Sequence, residues 1–571
     1  MTDILSVDNM RRSDAATIKG GISGRELMAR AGKAIYESVK WKPPVAIVCG
    51  VGNNAGDGYV LARLLKDDGI ECSLILLEDR FSEDGKYYFD KCLNDSSMSE
   101  RNVQGNIKVM RLEEVENLSS YGTIVDCIFG TGFRGDVRGK AKLAIDMINT
   151  SGAYVVSVDI NSGLNGDSGM CAILCSADES KDSLKSTWNK LAHEKEAVSA
   201  GGSAASGTEG ACVRSDITVS IGSFKPGHFL NMAKDVMKSR VNCDIGIRPV
   251  EKPYGLVCAE DLAEYFCDRK NFSNKGTYGY TAIIGGSKKY SGAVRLASMA
   301  NSAVMNCAEN LQKDMEAGSV KLLAEMANAA MRSGVGVVKV GLPDSLYHDL
   351  VPLILESTVF PLSGRDGELI FNKEEIDSLI SNVRTVAFGM GIGLSAETGK
   401  SLEYLLEAFS GTLIVDADGL NLLSKMDRER IRRSKCRLVL TPHLKEFERL
   451  TGLKKEEILA RPVSSAETYA LDTGAVVLLK GPSTIVTDGV RTYIVEAGCS
   501  GMATAGSGDV LSGILSAVCG YIGDLPLAVA AGAYINGKAG EAAQRKSNSI
   551  SMTAGDTVSC IAEVITGLNK R

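Results

Sequence analysis

Short, largely apolar runs recur along the chain, and several of them deliver a glycine or aspartate at their ends. Val45-Ala46-Ile47-Val48-Cys49 leads into Gly50–Gly58, after which Tyr59, Val60, Leu61, Leu64 and Leu65 take up a helical period. Thr123–Phe129 ends in Gly130–Gly135, Tyr154–Ile160 ends in Asn161–Leu164, and Cys72–Leu77 and Asp216–Ile221 are runs of the same kind. A strand without alternation is covered on both faces, which is the habit of parallel sheets. Strands of this type between helical periods predict an α/β fold, and open α/β sheets bind ligands at the carboxyl ends of their strands. Ahead of them, residues 11–40 read as helical, with Leu27, Met28, Ala31, Ala34 and Ile35 on one face.

The second half repeats the pattern. Tyr280–Ile284, Gly334–Val340, Val386–Phe388, Thr412–Val415, Leu438–Leu440 and Val476–Leu479 predict strands. Five loops follow such runs: Gly285-Gly286, Gly389–Gly393, Asp416–Asn421, Thr441-Pro442-His443 and Lys480–Thr484. The stretch Gly501–Asp509 then opens a helical period at Val510–Leu515. Its small residues leave backbone amides free to close on an anion at the positive end of a helix, and a phosphate is the natural guest. Asp509 would repel that guest unless it works there, for example by taking the proton of a hydroxyl that attacks the phosphate. A helix N-cap would also place an aspartate at this point. Asn53 and Asn54 offer amide oxygens to a hard cation and amide hydrogens to a ribose or phosphate; a turn that tolerates positive φ favours the same residues. His443, at a strand end, is a candidate ligand contact, whereas Met299, Met305, Met326 and Met331 read as packing.

The pattern breaks twice, at about 170–212 and about 306–322, and both segments read as insertions. The division expected is a domain over 1–250 and a second over 251–571, since 571 residues exceed one ordinary domain. Composition narrows the function. A net charge of −6 leaves no basic footprint for nucleic acid or an anionic membrane, and no apolar run approaches the roughly 18 residues of a membrane span. The N-terminus shows no secretion signal. Fifteen cysteines without ligand spacing read as reduced thiols, so the expected compartment is the cytoplasm, and four histidines do not build a zinc cluster.

Gly50–Gly58, Asp126–Gly132 and Val158–Leu164 together resemble the NAD(P)H-hydrate epimerase (YjeF N-terminal) domain, whose patterns are GxGNNGGDG, DxxFGTG and VDIPSGL. Lys275–Gly286, Gly389–Gly393, Asp416–Asn421, Thr441-Pro442-His443, Lys480–Thr484 and Gly501–Asp509 resemble the ribokinase-like NAD(P)H-hydrate dehydratase domain. The order is that of the bifunctional NAD(P)H-hydrate repair enzymes. The resemblance implies a Rossmann-like three-layer α/β/α domain followed by a ribokinase-like α/β domain. NADH and NADPH hydrates carry water across a nicotinamide double bond as R and S epimers. By resemblance, the first domain interconverts the epimers, and the second dehydrates the S form with ADP or ATP and releases phosphate.

The resemblance also implies roles. Asn53, Asn54, Ala55, Gly56 and Asp57 would hold the hydrate in the first domain with Gly130, Thr131, Gly132, Phe133, Arg134, Gly135, Asp136 and Asp159. Asp159 is the candidate for moving the proton, and Asn54, Asp126 and Ser162 would ligate a potassium ion. In the second domain Gly393, His443 and Asp509 would touch the hydrate, with Asp509 as base on its hydroxyl. Lys480, Gly481, Pro482, Ser483 and Thr484 would hold the nucleotide with Gly508, and the amides of Ala505, Gly506, Ser507 and Gly508 would stabilise the transferring phosphate. Mg2+ is expected with the nucleotide. The implied partners are small molecules, without nucleic acid or membrane, in a homo-oligomer. The sequence departs from the family patterns at Ala55, Ala505 (each for glycine), Asn161, Met390 (each for proline) and Leu444-Lys445 (for Pro-Gly). Alanine costs little where φ is negative and more where it is positive. A rival is a ribokinase-like small-molecule kinase with a non-catalytic N-terminal binding domain.

Overall fold

The computed structural model describes residues 1–94, 107–171, 211–288, 308–353 and 356–570. It divides into two compact units, one of Asp3–Pro253 with Leu459–Arg461, the other of Met1–Thr2, Tyr254–Ile458 and Pro462–Arg571.

The first unit is a seven-stranded parallel sheet. Its strands lie in the order Lys108–Arg111, Cys72–Leu76, Val45–Cys49, Thr123–Cys127, Tyr154–Val158, Ile217–Ile221 and Arg240–Cys243. Val45–Cys49, Cys72–Leu76 and Thr123–Cys127 are buried along their whole length; the first is apolar throughout, and the others bury Ser73, Thr123 and Asp126 among apolar neighbours. The edge strand Lys108–Arg111 is half exposed and carries a charge at each end, so its sequence gives no core signal. The single helix expected over 11–40 is two. Ser6 caps Val7–Lys19, Ser23 caps Gly24–Ser38, and between them Gly21 turns the chain at φ +107°.

The second unit is built on a larger sheet. Thr358–Leu362, Val337–Pro343, Tyr280–Ile284, Thr385–Phe388, Thr412–Val415, Arg437–Leu440 and Val476–Leu479 are parallel neighbours in that order. The hairpin Thr484–Thr487/Thr492–Val495 continues it in antiparallel pairing, and Tyr254–Leu256 follows. The helices Ala308–Arg332, Ser507–Val518 and Leu525–Lys546 share one apolar core over the sheet. The charged segment expected as an insertion at 306–322 therefore needs correction: from Ala308 it is the first half of the helix that ends at Arg332. Of the other expected insertion, about 170–212, residues 172–210 lie outside the described residues, as do 289–307 with Met299 and Met305. Among the described residues no helix is long and apolar enough to cross a membrane.

Candidate active sites

In the first unit the sheet's carboxyl edge opens on a cavity of about 570 Å³. Asn53, Asn54, Asp57, Gly130, Thr131, Gly132, Phe133 and Asp159 line it, as does Lys225. Asn53 begins the helix Asn53–Asp67, so the amides of its first turn face the cavity. Several expected contacts are not brought there. Ala55 is buried in the apolar core; it sits in that helix with ordinary φ, so alanine for glycine carries no backbone cost. Gly56 backs onto Met28, whose side chain a Cβ would strike. Arg134, Gly135 and Asp136 lie outside the lining, and Asp136 pairs with Arg138 at 2.8 Å.

Asp159 is held from three directions. Lys225 Nζ donates to its Oδ1 at 2.6 Å, Thr131 N to its Oδ2 at 2.9 Å, and His228 Nε2 lies 2.7 Å from its carbonyl oxygen. Its φ of +64° is left-handed, uncommon outside glycine and cheapest for Asp and Asn. Lys225 is only 1% exposed and spends a second proton on the Ile221 carbonyl at 2.9 Å. Burial alone would raise Asp159; the Lys225 ammonium outweighs it and holds the carboxyl below its ordinary value. Burial, reinforced by the charge of Asp159, pushes Asp57 well up. His228 is fully buried, and burial with the neighbouring Lys225 charge lowers it to about 4. Its Nδ1 accepts from Lys225 N at 2.9 Å, so the neutral ring donates through Nε2. Sequence reasoning assigned no role to Lys225 or His228, although they follow a strand end of the same sheet.

Behind the cavity wall Asp126 is fully buried, and its carboxylate accepts from Ser162 Oγ (2.6 Å), Ser162 N (2.9 Å) and Ser157 Oγ (3.0 Å). Burial raises its pKa against those bonds. Asn54 Nδ2 donates to Phe129 O at 2.9 Å, and Ser162 Oγ also reaches that carbonyl, at 3.3 Å. Asn54 Oδ1 is buried with no hydrogen-bond partner. The unpartnered amide oxygen of Asn54, the Ser162 hydroxyl and the Asp126 carboxylate, linked through the Phe129 carbonyl that Asn54 Nδ2 and Ser162 both reach, offer an all-oxygen set of the chemistry that fits a hard, weakly hydrated cation. Asn161 does not act on the cavity. Its Nδ2 donates to Val213 O (2.8 Å) and Val236 O (3.1 Å), and its Oδ1 accepts from Thr218 Oγ1 (2.5 Å).

In the second unit the anion loop is where the glycines place it. Gly506 takes φ +89° as N-cap of Ser507–Val518, and a Cβ there would meet Leu322 at 2.6 Å. Ala505 is exposed with ordinary φ, so the loop keeps glycine where geometry demands it. Asp509 lies in the first turn, half-buried; burial first and the charge of Asp416 next raise it to about 7. Lys480 Nζ donates to Asp416 Oδ1 at 2.9 Å and stands 3.9 Å from Glu446 Oε2. Ser483 Oγ and Ser507 Oγ are both buried without a partner, one in each segment expected to hold nucleotide.

His443 caps the helix Leu444–Thr451: its Nδ1 accepts from Lys445 N at 3.1 Å and Glu446 N at 3.3 Å, leaving the half-exposed ring's Nε2 for a ligand or Glu446. Burial and the charge of Lys480 lower its pKa, so it is neutral near pH 7. Leu444 and Lys445 open that helix, which needs neither proline nor glycine. Gly393 turns at φ +87° and donates its N–H to Asp418 Oδ2 at 3.0 Å.

The family model described as NAD(P)H-hydrate dehydratase matches residues 317–563, and that described as YjeF-related protein N-terminus matches 24–227. The bifunctional NAD(P)H-hydrate repair enzyme Nnr of Hyperthermus butylicus is 30% identical, over 95% of this chain and 89% of its own. That of Escherichia coli K12 is 29% identical, over 98% and 93%. Among solved structures, the ADP/ATP-dependent NAD(P)H-hydrate dehydratase of Bacillus subtilis co-crystallized with ATP/Mg2+ is 22% identical at a TM-score of 0.43. It covers 55% of this chain and 99% of its own.

Proposed function

The chain belongs to the family of bifunctional NAD(P)H-hydrate repair enzymes, and from that premise we propose that Asp159 serves epimerisation and Asp509 serves dehydration. The enzyme repairs hydrated NADH and NADPH: it interconverts the R and S hydrates and dehydrates the S form at the expense of a nucleotide.

The observation that carries the dehydratase assignment is Asp509, raised to about 7, in the first turn of the helix that the anion loop opens. A base of that strength is matched to neutral pH. In our reading it takes the proton of the hydrate's hydroxyl, whose oxygen attacks the terminal phosphorus of ADP or ATP. The bridging P–O bond breaks, and the nucleotide leaves one phosphate shorter. Phosphate then departs with the C–O electron pair while the adjacent carbon loses a proton, which restores the ring double bond. The amides of Ala505–Gly508 face the charge that develops on the phosphate. Lys480–Thr484 would hold the nucleotide, and His443 and Gly393 the hydrate. Among the described residues no group of three His, Cys, Asp or Glu is arranged to hold a metal. Mg2+ would enter with the nucleotide's phosphates, whose charge it neutralises.

In the first unit the charged Lys225 keeps Asp159 ionised at the cavity wall, so that the carboxylate is unprotonated and can take a proton, while the neutral His228 holds its backbone carbonyl. Asn54 Oδ1, Ser162 Oγ and Asp126 would hold potassium, which would supply fixed positive charge beside the cavity.

The test is recovery of reduced-nicotinamide absorbance from mixed-epimer NADH hydrate, with ADP and ATP in parallel, for the wild type and Asp509→Ala. Full recovery with one nucleotide, lost in the variant, supports both activities and the assignment of Asp509, and names the donor. Recovery of the S fraction alone would leave Asp159 without a reaction, and a phosphorylated product that persists would make the second unit a kinase.

A further inference from the structure

Asp416 has no part in the chemistry above, yet three elements of the second unit converge on it. It follows the strand Thr412–Val415 and is 2% exposed. Its Oδ1 accepts from Lys480 Nζ and from Ala417 N, each at 2.9 Å, and its Oδ2 accepts from Ser512 Oγ at 2.9 Å. Ser512 lies one turn beyond Asp509 on the same helix. The pair sits under the anion loop: a Cβ built on Gly508 would lie 3.6 Å from Asp416 Oδ2 and 3.6 Å from Lys480 Nζ. The backbone is strained to allow this. Ala417 adopts φ +50°, ψ −119°, a conformation that a residue with a Cβ keeps only when its surroundings enforce it.

We propose that Asp416 is a positioning residue of the dehydratase, which anchors the Lys480 ammonium beneath Gly508 so that the pair sets the charge felt by the transferring phosphate and by Asp509. The proposal rests on the assignment of Asp509 as base. Two opposite charges face Asp509 here, Asp416 raising its pKa and Lys480 lowering it; Glu325, from the helix Ala308–Arg332, raises it further, and the amide at its own helix start lowers it. Glu446 and His443 stand on the far side of Lys480. A fixed pair holds this balance steady while a multiply charged phosphate arrives, whereas a mobile lysine would follow the phosphate.

The experiment is the pH dependence of kcat for S-hydrate dehydration by the full chain, for wild type, Asp416→Asn, Lys480→Met, Ser512→Ala and Asp509→Asn. Asp416→Asn removes the negative neighbour, so the acidic limb moves to lower pH while kcat falls about tenfold or more, with KM changed less. Lys480→Met moves the limb the other way. Ser512→Ala keeps every charge but frees one oxygen of Asp416, so kcat falls about fivefold at an unmoved limb. Limbs that stay put in both charge variants, or move the same way, overturn the proposal. If Asp416→Asn does not fold, Ser512→Ala decides: an unchanged kcat overturns it. Activity retained by Asp509→Asn would instead defeat the assignment of the base, a result separate from either.

Discussion

Lys225→Met tests the epimerase reading at a buried ammonium. The wild-type ammonium, 1% exposed, is paired at 2.6 Å with a carboxylate that is itself 17% exposed. Removing one partner of a buried pair costs about 3–5 kcal/mol, because the other charge stays behind unpaired. Asp159 keeps the Thr131 amide and some contact with solvent, which places the loss at the low end, about 3 kcal/mol. The same change unties Oδ1 while the left-handed φ of Asp159 remains costly, so the carboxylate shifts. A misplacement of about 1 Å at a reacting group costs on the order of 100-fold in rate. Repair of R-enriched hydrate, followed by absorbance with excess nucleotide, is therefore expected to slow by about that factor, with S-hydrate dehydration by the same polypeptide unchanged. Urea unfolding of the first unit, followed by hydrogen exchange, reads the stability loss. R-hydrate repair within about twofold of wild type, in a unit destabilised by less than about 1 kcal/mol, would refute the argument that this pair aims Asp159.

Three further outcomes are expected. Because His228 is lowered from its ordinary 6.5 to about 4, the unfolded chain binds the proton more readily; the stability this buried neutral ring confers is complete above about 6.5 and is lost as pH falls through 4. That amounts to about 3 kcal/mol, and urea midpoints at pH 7 and pH 4 for wild type and His228→Gln should differ in slope, parallel curves contradicting it. Ala417→Gly releases strain of about 1–3 kcal/mol against a backbone-entropy cost of about 0.5–1, so the second unit should gain about 1 kcal/mol in thermal unfolding, and a loss of that size would mean no strain is stored there. Replacing potassium by choline in the assay should slow R-hydrate repair about tenfold and leave S-hydrate dehydration alone; equal rates would remove the ion from the cavity wall.

What the sequence made legible was what depends on neighbours in the chain. Val45–Cys49 and Leu413–Val415 are apolar throughout because both faces are covered, and Gly501–Asp509 is short, small and followed by a helical period. Lys108–Arg111 was missed because an edge strand need not be apolar, and 306–322 was misread because charges on a helix look like an insertion when only composition is weighed. The sites divide in the same way. Asp159 and Asp509 announce themselves beside glycines, but the partners that set their chemistry come from afar: Lys225 is 66 residues from Asp159, and Ser512 is 96 from Asp416. A buried lysine has no local signature, since its counter-charge is chosen by the fold.

Asn161 shows how such distant partners constrain what the chain can become. The family's loop carries proline at this position, whereas the carboxamide here satisfies two backbone carbonyls and the hydroxyl of Thr218. Proline could do none of this, and would take a hydrogen bond from each of these buried groups. Asn161→Pro is thus disfavoured as a lone change in this chain. Side chain and surroundings therefore constrain each other: what this position can carry is decided by groups 52 to 75 residues away in the chain.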